Sequence, residues 1–431
     1  MPVVTVSDQP DFRRLWVGVT VSQLGEQATV VVLPLFAVLT LHASAGHLGL
    51  LRAIEQAPIL LLSLFVGAGV DRWRTRTVMV LTDIARTLAL VATATASLFG
   101  WLGLPALFVV AFAVGALSVC FDVAYQASLV RLVPREQLVS GNSALEGSRS
   151  AAQIAGPALG GTLVSLLSAP AAASCTALFF ALSALSIRRI RTRESVALTE
   201  RSARPAPVWR RIQEGLRFVA RETVLRTVCL ASAAFQFSYA AMMTVYLLFL
   251  PRELHLSGTA IGFALAATGP GALLGSMLAG RLPSRFGYGA VLISAAALAD
   301  SSFLWVAALP GSGSSSGSGS GSGSGSTIVT LLVLLAVSFV FGTGGQLVNV
   351  TVMAVRQAAT PHEMQGRVAA TITFAGMGLT PLGSLLGGLL AEEWGLRISL
   401  LVTAAGMLLS PVLMAASPLA RLGRRLAPPL C

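Results

Sequence analysis

Long apolar runs alternate along this chain with short stretches of arginine, glycine, proline and serine. The first six runs lie near 14–41, 47–70, 77–100, 104–128, 144–168 and 170–187. After a polar interval they resume near 224–250, 257–281, 288–310, 327–352, 366–391 and 397–418. About 20 apolar residues in a helix cross roughly 30 Å of hydrocarbon, so each run is long enough for a bilayer. The pattern predicts an all-α membrane protein with about twelve transmembrane helices in two six-helix bundles. Residues 1–187 form the first bundle, 188–223 a linker and 224–431 the second bundle. A Gly/Ser tract at 311–326 falls in an outer loop between the ninth and tenth runs.

Composition supports a lipid solvent. Of 431 residues, 55% are hydrophobic and 11% charged, against roughly 25% charged in an ordinary soluble domain. The net charge of +12 comes with thirty basic residues, all arginine. They gather in alternate loops: Arg13 and Arg14, then Arg72, Arg74 and Arg76, then Arg131 and Arg135, then the 188–226 interval. Arg281 and Arg285, Arg356 and Arg367, and Arg421, Arg424 and Arg425 continue the series, while the other loops hold Arg252 and Arg397. By the positive-inside rule both termini and the linker are cytoplasmic, in the plasma membrane. Clusters so placed meet anionic lipid rather than nucleic acid. Within the linker, Val208 to Arg226 reads either as an amphipathic surface helix anchored by Trp209 and Phe218 or as a solvated connection.

The missing lysine excludes a Walker A phosphate loop and a Schiff-base enzyme. Cys120, Cys175, Cys229 and Cys431 show no CxxC spacing, and His42, His47, His255 and His362 no ligand spacing. No metal, cofactor or enzymatic activity is expected, since no catalytic cluster is present.

The two halves echo one another. "GAGVDRWR" (67–74) joins runs two and three, and "GRLPSRFG" (280–287) joins runs eight and nine. Paired six-helix halves are a transporter architecture. With these motifs the chain resembles the major facilitator superfamily, and within it the branch of drug, macrolide and enterobactin exporters. The family's loop motif Gly-x-x-x-Asp-Arg-x-Gly-Arg-Arg is matched at Gly67, Asp71, Arg72 and Arg76, with Arg74 and Thr75 departing from it. The second copy keeps Gly280, Arg285 and Gly287 but has Ser284 in place of the acid. The resemblance implies that Asp71 latches the halves together on the cytoplasmic side. The helix expected to begin near Gln365 would favour an anion at its positive end; a solvated loop acid is the alternative.

"GNSALEGSRSAAQIAGPALGG" (141–161) is similar to the superfamily's antiporter motif at Gly156, Pro157, Gly160 and Gly161, with Ala152 and Ser143 replacing two glycines. The resemblance implies export. Independently of it, small residues at 152, 156 and 160 make a flat stripe for close helix packing, which any bundle can use.

Runs one, four, seven and ten each carry a polar pair at i, i+3: Gln23 and Glu26, Asp122 and Tyr125, Gln236 and Tyr239, Gln346 and Asn349. Each pair shares a helix face. The resemblance implies that these four runs line the substrate cavity; interhelical hydrogen bonding is the alternative. Intramembrane acids are costly and functional by default, so Asp122, then Glu26, are the proton-coupling candidates. Arg52 with Glu55 and Asp83 with Arg86 are read as local pairs or snorkelling groups, and Asp300 as structural. The expected activity is export of amphipathic small molecules, drug-, macrolide- or siderophore-like, by a monomeric proton antiporter with alternating access. Proton-coupled or facilitated uptake is the alternative, and a membrane sensor the next.

Overall fold

The computed structural model describes residues 9–70, 74–133, 138–191, 208–309, 323–361 and 364–423. These residues are mostly helical, with no strand among them. The first half contains α1 (Pro10–Leu39), α2 (Ala45–Val70), α3 (Thr75–Leu98), α4 (Leu104–Leu132), α5 (Leu138–Leu166) and α6 (Ala169–Arg188). A shorter α7 (Val208–Arg221) precedes α8 (Thr223–Arg252), α9 (Gly258–Ala266), α10 (Thr268–Ala279) and α11 (Leu282–Phe286). Then come α12 (Tyr288–Ser302), α13 (Leu304–Ala307), α14 (Gly323–Ala359) and α15 (Gln365–Gly378). The last three are α16 (Thr380–Glu393), α17 (Leu396–Met407) and α18 (Leu409–Ala415). Among the described residues, 10 helical stretches are long and apolar enough to cross a membrane. Helices α2 and α5, of 26 and 29 residues, occupy the two remaining expected spans.

Local chemistry sets many of the helix ends. Pro10, Pro105 and Pro170 sit in first turns, where the missing N–H has no intrahelical partner to lose. Asp11 complements the positive end of α1, pairs with Arg14 at 2.7 Å and accepts the Arg191 backbone N–H at 3.2 Å. Four expected spans of the second half are each broken in two: α9 with α10, α12 with α13, α15 with α16, α17 with α18. In all but the α12–α13 break the second piece carries a proline in its first turn, at Pro270, Pro381 and Pro411. Proline has no N–H to donate and its ring clashes with the carbonyl four residues back, so the ladder stops there.

Helix α3 shows how a lipid solvent inverts the usual pattern. Its buried face carries Met79, Thr82, Asp83, Arg86, Leu90 and Thr93, while Leu81, Leu88 and Leu98 are exposed. Hydrocarbon solvates leucine well and charge badly, so the polar stripe turns inward.

The chain forms two units. The first comprises Met1–Thr199 with Leu256–Ala266, the second Glu200–His255 with Ala267–Cys431. In the first, Phe12, Leu15, Val19, Met79, Phe121, Leu129, Leu145 and Ile187 form a core shared by α1, α3, α4, α5 and α6. Helix α5 applies its small-residue stripe there. A Cβ on Gly156 or Gly160 would collide with α1 at Gln27 or Ala28, and one on Gly161 with α9 at Gly258 and Gly262. Helix α9 is thereby built into the first unit, and Ser165 of α5 caps it, accepting the Thr259 backbone N–H at 2.6 Å.

In the second unit, Val219, Leu225, Val228, Leu292, Val355, Val368, Met414 and Leu419 form the core. Helix α7, inside the expected linker, packs against α8 and α15 and so belongs to this unit. Phe218, a lipid anchor in one of the two readings of the linker, is half-buried on that core; the Trp209 side chain lies outside the described residues. Gly287, with φ +95°, supplies the left-handed turn into α12. There the backbone N–H groups of Tyr288 and Gly289 donate to the carbonyls of Gly423 and Leu422, each at 3.1 Å. The segment after α18 thus seals the start of α12.

Candidate functional site

At the centre of the first unit lies a buried arginine. Arg86, on α3, is fully buried. One guanidinium nitrogen donates to Asp83 Oδ1 at 2.5 Å and to Ser22 Oγ at 3.1 Å. The other reaches Ser118 Oγ at 3.2 Å and lies 3.8 Å from Glu26 Oε2. Its carbon sits 4.4 Å and 4.7 Å from the ring centroids of Phe180 and Phe121, within cation–π range. The arginine therefore ties α3 to α1, α4 and α6. Expected only as a local pair with Asp83, it also takes in Glu26 and is buried rather than snorkelling. A sequence signal existed: Ser22 and Glu26 are one turn apart on α1, which matches the Asp83–Arg86 spacing on α3.

Other charges surround this centre. Asp122, on α4, feels the charges of Glu26, Arg149 and Arg86. Arg52 and Glu55 pair within α2 at 3.5 Å, as their spacing suggested, and Glu55 also feels Glu26. The Glu26 side chain is 27% exposed, so it reaches accessible space while touching the buried arginine. Glu26 and Asp122 interact electrostatically, and Tyr125, in the field of Asp122, packs on the apolar core with its ring 6.2 Å from that of Phe121. Gln23 is buried, and its Oε1 has no hydrogen-bond partner.

The second unit is built differently. Helices α8, α12, α14, α15 and α18 line a cavity of about 310 Å³. Gln236 and Asn349 line it, with Ser232, Phe235 and Arg356. Tyr239 stands one turn along α8 in a stack with Phe235 and Phe341, each pair of centroids 5.5 Å apart. Gln346 is not on the cavity wall; it packs on Gly275 of α10. Asp300, expected as a structural residue, lines the cavity. Sequence spacing did not single it out because α12 carries no second polar residue at i, i+3 on that face.

Of the loop motif, Gly67 lies within α2, whereas Asp71 and Arg72 fall outside the described residues. Arg76 donates to the carbonyl of Arg188, the last residue of α6. A cation there complements the negative helix end. Gly156, Pro157, Gly160 and Gly161 act in the packing of α5 on α1 and α9. Among the described residues no group of three His, Cys, Asp or Glu side chains is arranged to hold a metal.

Comparison with known proteins agrees with this architecture. The profile of a family described as transmembrane secretion effector matches residues 6–428. The multidrug efflux pump Tap of Mycolicibacterium fortuitum is 28% identical over 395 residues, covering 89% of this chain and 90% of that one. The uncharacterized MFS-type transporter YfiS of Bacillus subtilis is 27% identical over 408 residues, covering 92% and 90%. Among solved structures, a bacterial homologue of the iron transporter ferroportin superposes with a TM-score of 0.71 at 18% identity, covering 94% of this chain and 97% of that one. The nucleoside transporter NupG superposes with a TM-score of 0.71 at 12% identity, covering 95% and 99%. The chain belongs to the transmembrane secretion effector family and is a multi-pass membrane transporter of the major facilitator superfamily's drug-efflux-like branch.

Proposed function

We propose that this transporter exports amphipathic small molecules by proton antiport, working by alternating access from the plasma membrane with both termini cytoplasmic. The observation that carries the reading is the Glu26–Arg86–Asp83 cluster with Asp122 beside it. Arg86 is shared between an acid on its own helix and one on α1. At ~4 Å and an effective dielectric of ~20, opposite charges attract by about 4 kcal/mol. A proton on Glu26 removes that pull and leaves Arg86 to Asp83, loosening α1 from α3. Protonation of an acid in reach of solvent thus changes how two helices are held, which is what coupling a proton to a rocking bundle needs. Asp122, in the field of the same groups, is the second place such a proton can rest.

Two further features support the direction and cargo. The relatives named as multidrug efflux pumps cover most of the chain, and its α5 stripe resembles the antiporter motif. Sparse polar groups among aromatic and apolar walls suit bulky, moderately polar compounds. The arginine clusters keep the cytoplasmic face on anionic lipid.

The test is transport in everted vesicles under an imposed pH gradient. Wild-type protein should accumulate a fluorescent amphipathic dye only while the gradient stands. Asp122→Asn and Glu26→Gln should lower gradient-driven uptake at least tenfold at unchanged protein level. Uptake indifferent to the gradient would overturn the antiport mechanism.

A further inference from the structure

Asp300 has no part in that coupling. It is 2% exposed, and its Oδ2 has no hydrogen-bond partner. A buried carboxylate with a free oxygen is costly wherever water and counter-charge are excluded. Here the oxygen belongs to a residue on the wall of a cavity of about 310 Å³, which can admit a partner.

The other charged residue on that wall is Arg356. The start of α12 and the end of α14 lie at one end of the unit, since Tyr288, Leu422, Val355 and Ala359 pack in or on the same core. At 1.5 Å per residue, Asp300 lies about 18 Å along α12 from Tyr288, whereas Arg356 lies only about 4–5 Å from the end of α14. The two charges sit at different depths, and Asp300 forms no ion pair among the described residues. Phe235, also on the wall, is an aromatic ring held in place by the stack with Tyr239 and Phe341. Aromatic rings attract cations over their faces. Gln236, Asn349 and Ser232 add neutral hydrogen-bonding groups, and the remainder of the wall is largely apolar.

We propose that this cavity is a subsite for the cationic, amine-bearing part of an amphipathic substrate, with Asp300 as its counter-ion and Phe235 as the flat wall beside it. The inference rests on the reading of the chain as a carrier of amphipathic small molecules, and names the chemistry of one end of its cargo. The cavity volume accommodates one end of a drug-sized molecule rather than the whole of it.

The experiment is flow dialysis of tetraphenylphosphonium, a permanent cation, against purified full-length protein in detergent, with protein-free micelles as the blank. Asp300→Asn should weaken its binding at least tenfold, and Asp300→Glu should recover part of the loss. The uncharged triphenylphosphine oxide should bind wild type and Asp300→Asn alike. A second variant does not depend on the acid: nothing lies within 4 Å of a Cβ placed on Gly345, a wall residue. Gly345→Leu should therefore fill the cavity and weaken both probes. Wild type that fails to bind the cation, Asp300→Asn that binds it normally, or Gly345→Leu with undiminished affinity would each overturn the subsite. Gradient-driven export alongside normal cation binding by Asp300→Asn removes the subsite and leaves the export reading intact. Asp300-dependent binding without export does the reverse.

Discussion

The interiors of the two units answer the same problem in opposite ways. In the first, Arg86, Asp83, Glu26, Ser22 and Ser118 form one network of ion pairs and hydrogen bonds across three helices, with two aromatic rings against the guanidinium, although Asp83 Oδ2 and Arg86 Nε have no hydrogen-bond partner. In the second, Asp300 has no ion pair among the described residues and stands with an unpartnered oxygen on the wall of a cavity. The packing repeats the contrast. Gly161 of the first unit lies against the backbone of α9, whereas a Cβ on Gly345 of the second meets nothing within 4 Å. An ion-paired interior holds helices together, and under the proposed mechanism it responds to a proton. A cavity beside an acid without an ion pair leaves room for the proposed cationic ligand.

Stability measurements can break or sharpen that contrast. The largest effect is expected from Arg86→Met, which leaves buried Asp83 and half-buried Glu26 without their counter-ion. Breaking a buried pair costs about 3–5 kcal/mol, read as a fall in unfolding free energy of the detergent-purified protein. Adding Asp83→Asn to that variant should recover part of the loss, because one stranded charge is removed with it.

A smaller effect separates two glycines. Gly161→Ala should cost about 1–3 kcal/mol, since the new methyl group meets the α9 backbone and the helices must part. Gly345→Ala should instead gain about 0.5–1 kcal/mol through helix propensity alone. Equal outcomes at the two positions would erase the packing half of the comparison.

The smallest effect belongs to Asp300→Leu. Removing a buried polar group with no partner should leave stability unchanged or raise it by about 1 kcal/mol, in the same unfolding measurement. A loss as large as that of Arg86→Met would mean that Asp300 is held as firmly as the first unit's charges, and the contrast would fail.

Much of this was legible before any coordinates. The apolar runs located every expected span, including α2 and α5, because hydrocarbon thickness demands a minimum length whatever the neighbours. Arg52 and Glu55 pair as their spacing suggests, since both lie on one helix. The stripe of Gly156, Gly160 and Gly161 does pack closely, yet its partners, α1 on one side and α9 on the other, lie far away in the chain. Glu26 and Asp122 lie in each other's field within the first unit, and Gln236 and Asn349 share a wall of the second. Tyr125 packs on an apolar core while still feeling the charge of Asp122, and the Gln346 Cβ lies beside Gly275 of α10. Spacing tells which residues share a helix face, but not what that face meets.

Taken alone, the sequence determined that the chain is a bundle of membrane helices, roughly where each begins and ends, and that polar stripes would turn inward. Those properties follow from single segments and their solvent: backbone groups must be satisfied within each helix, and leucine is at home in lipid where charge is not. Only the tertiary structure decided that Arg86 would be shared by Glu26 and Asp83 while Asp300 would be left without an ion pair on the wall of a cavity. The partner of a buried charge is chosen by which helices lie beside it, and that choice is written in contacts between segments, not within any one of them.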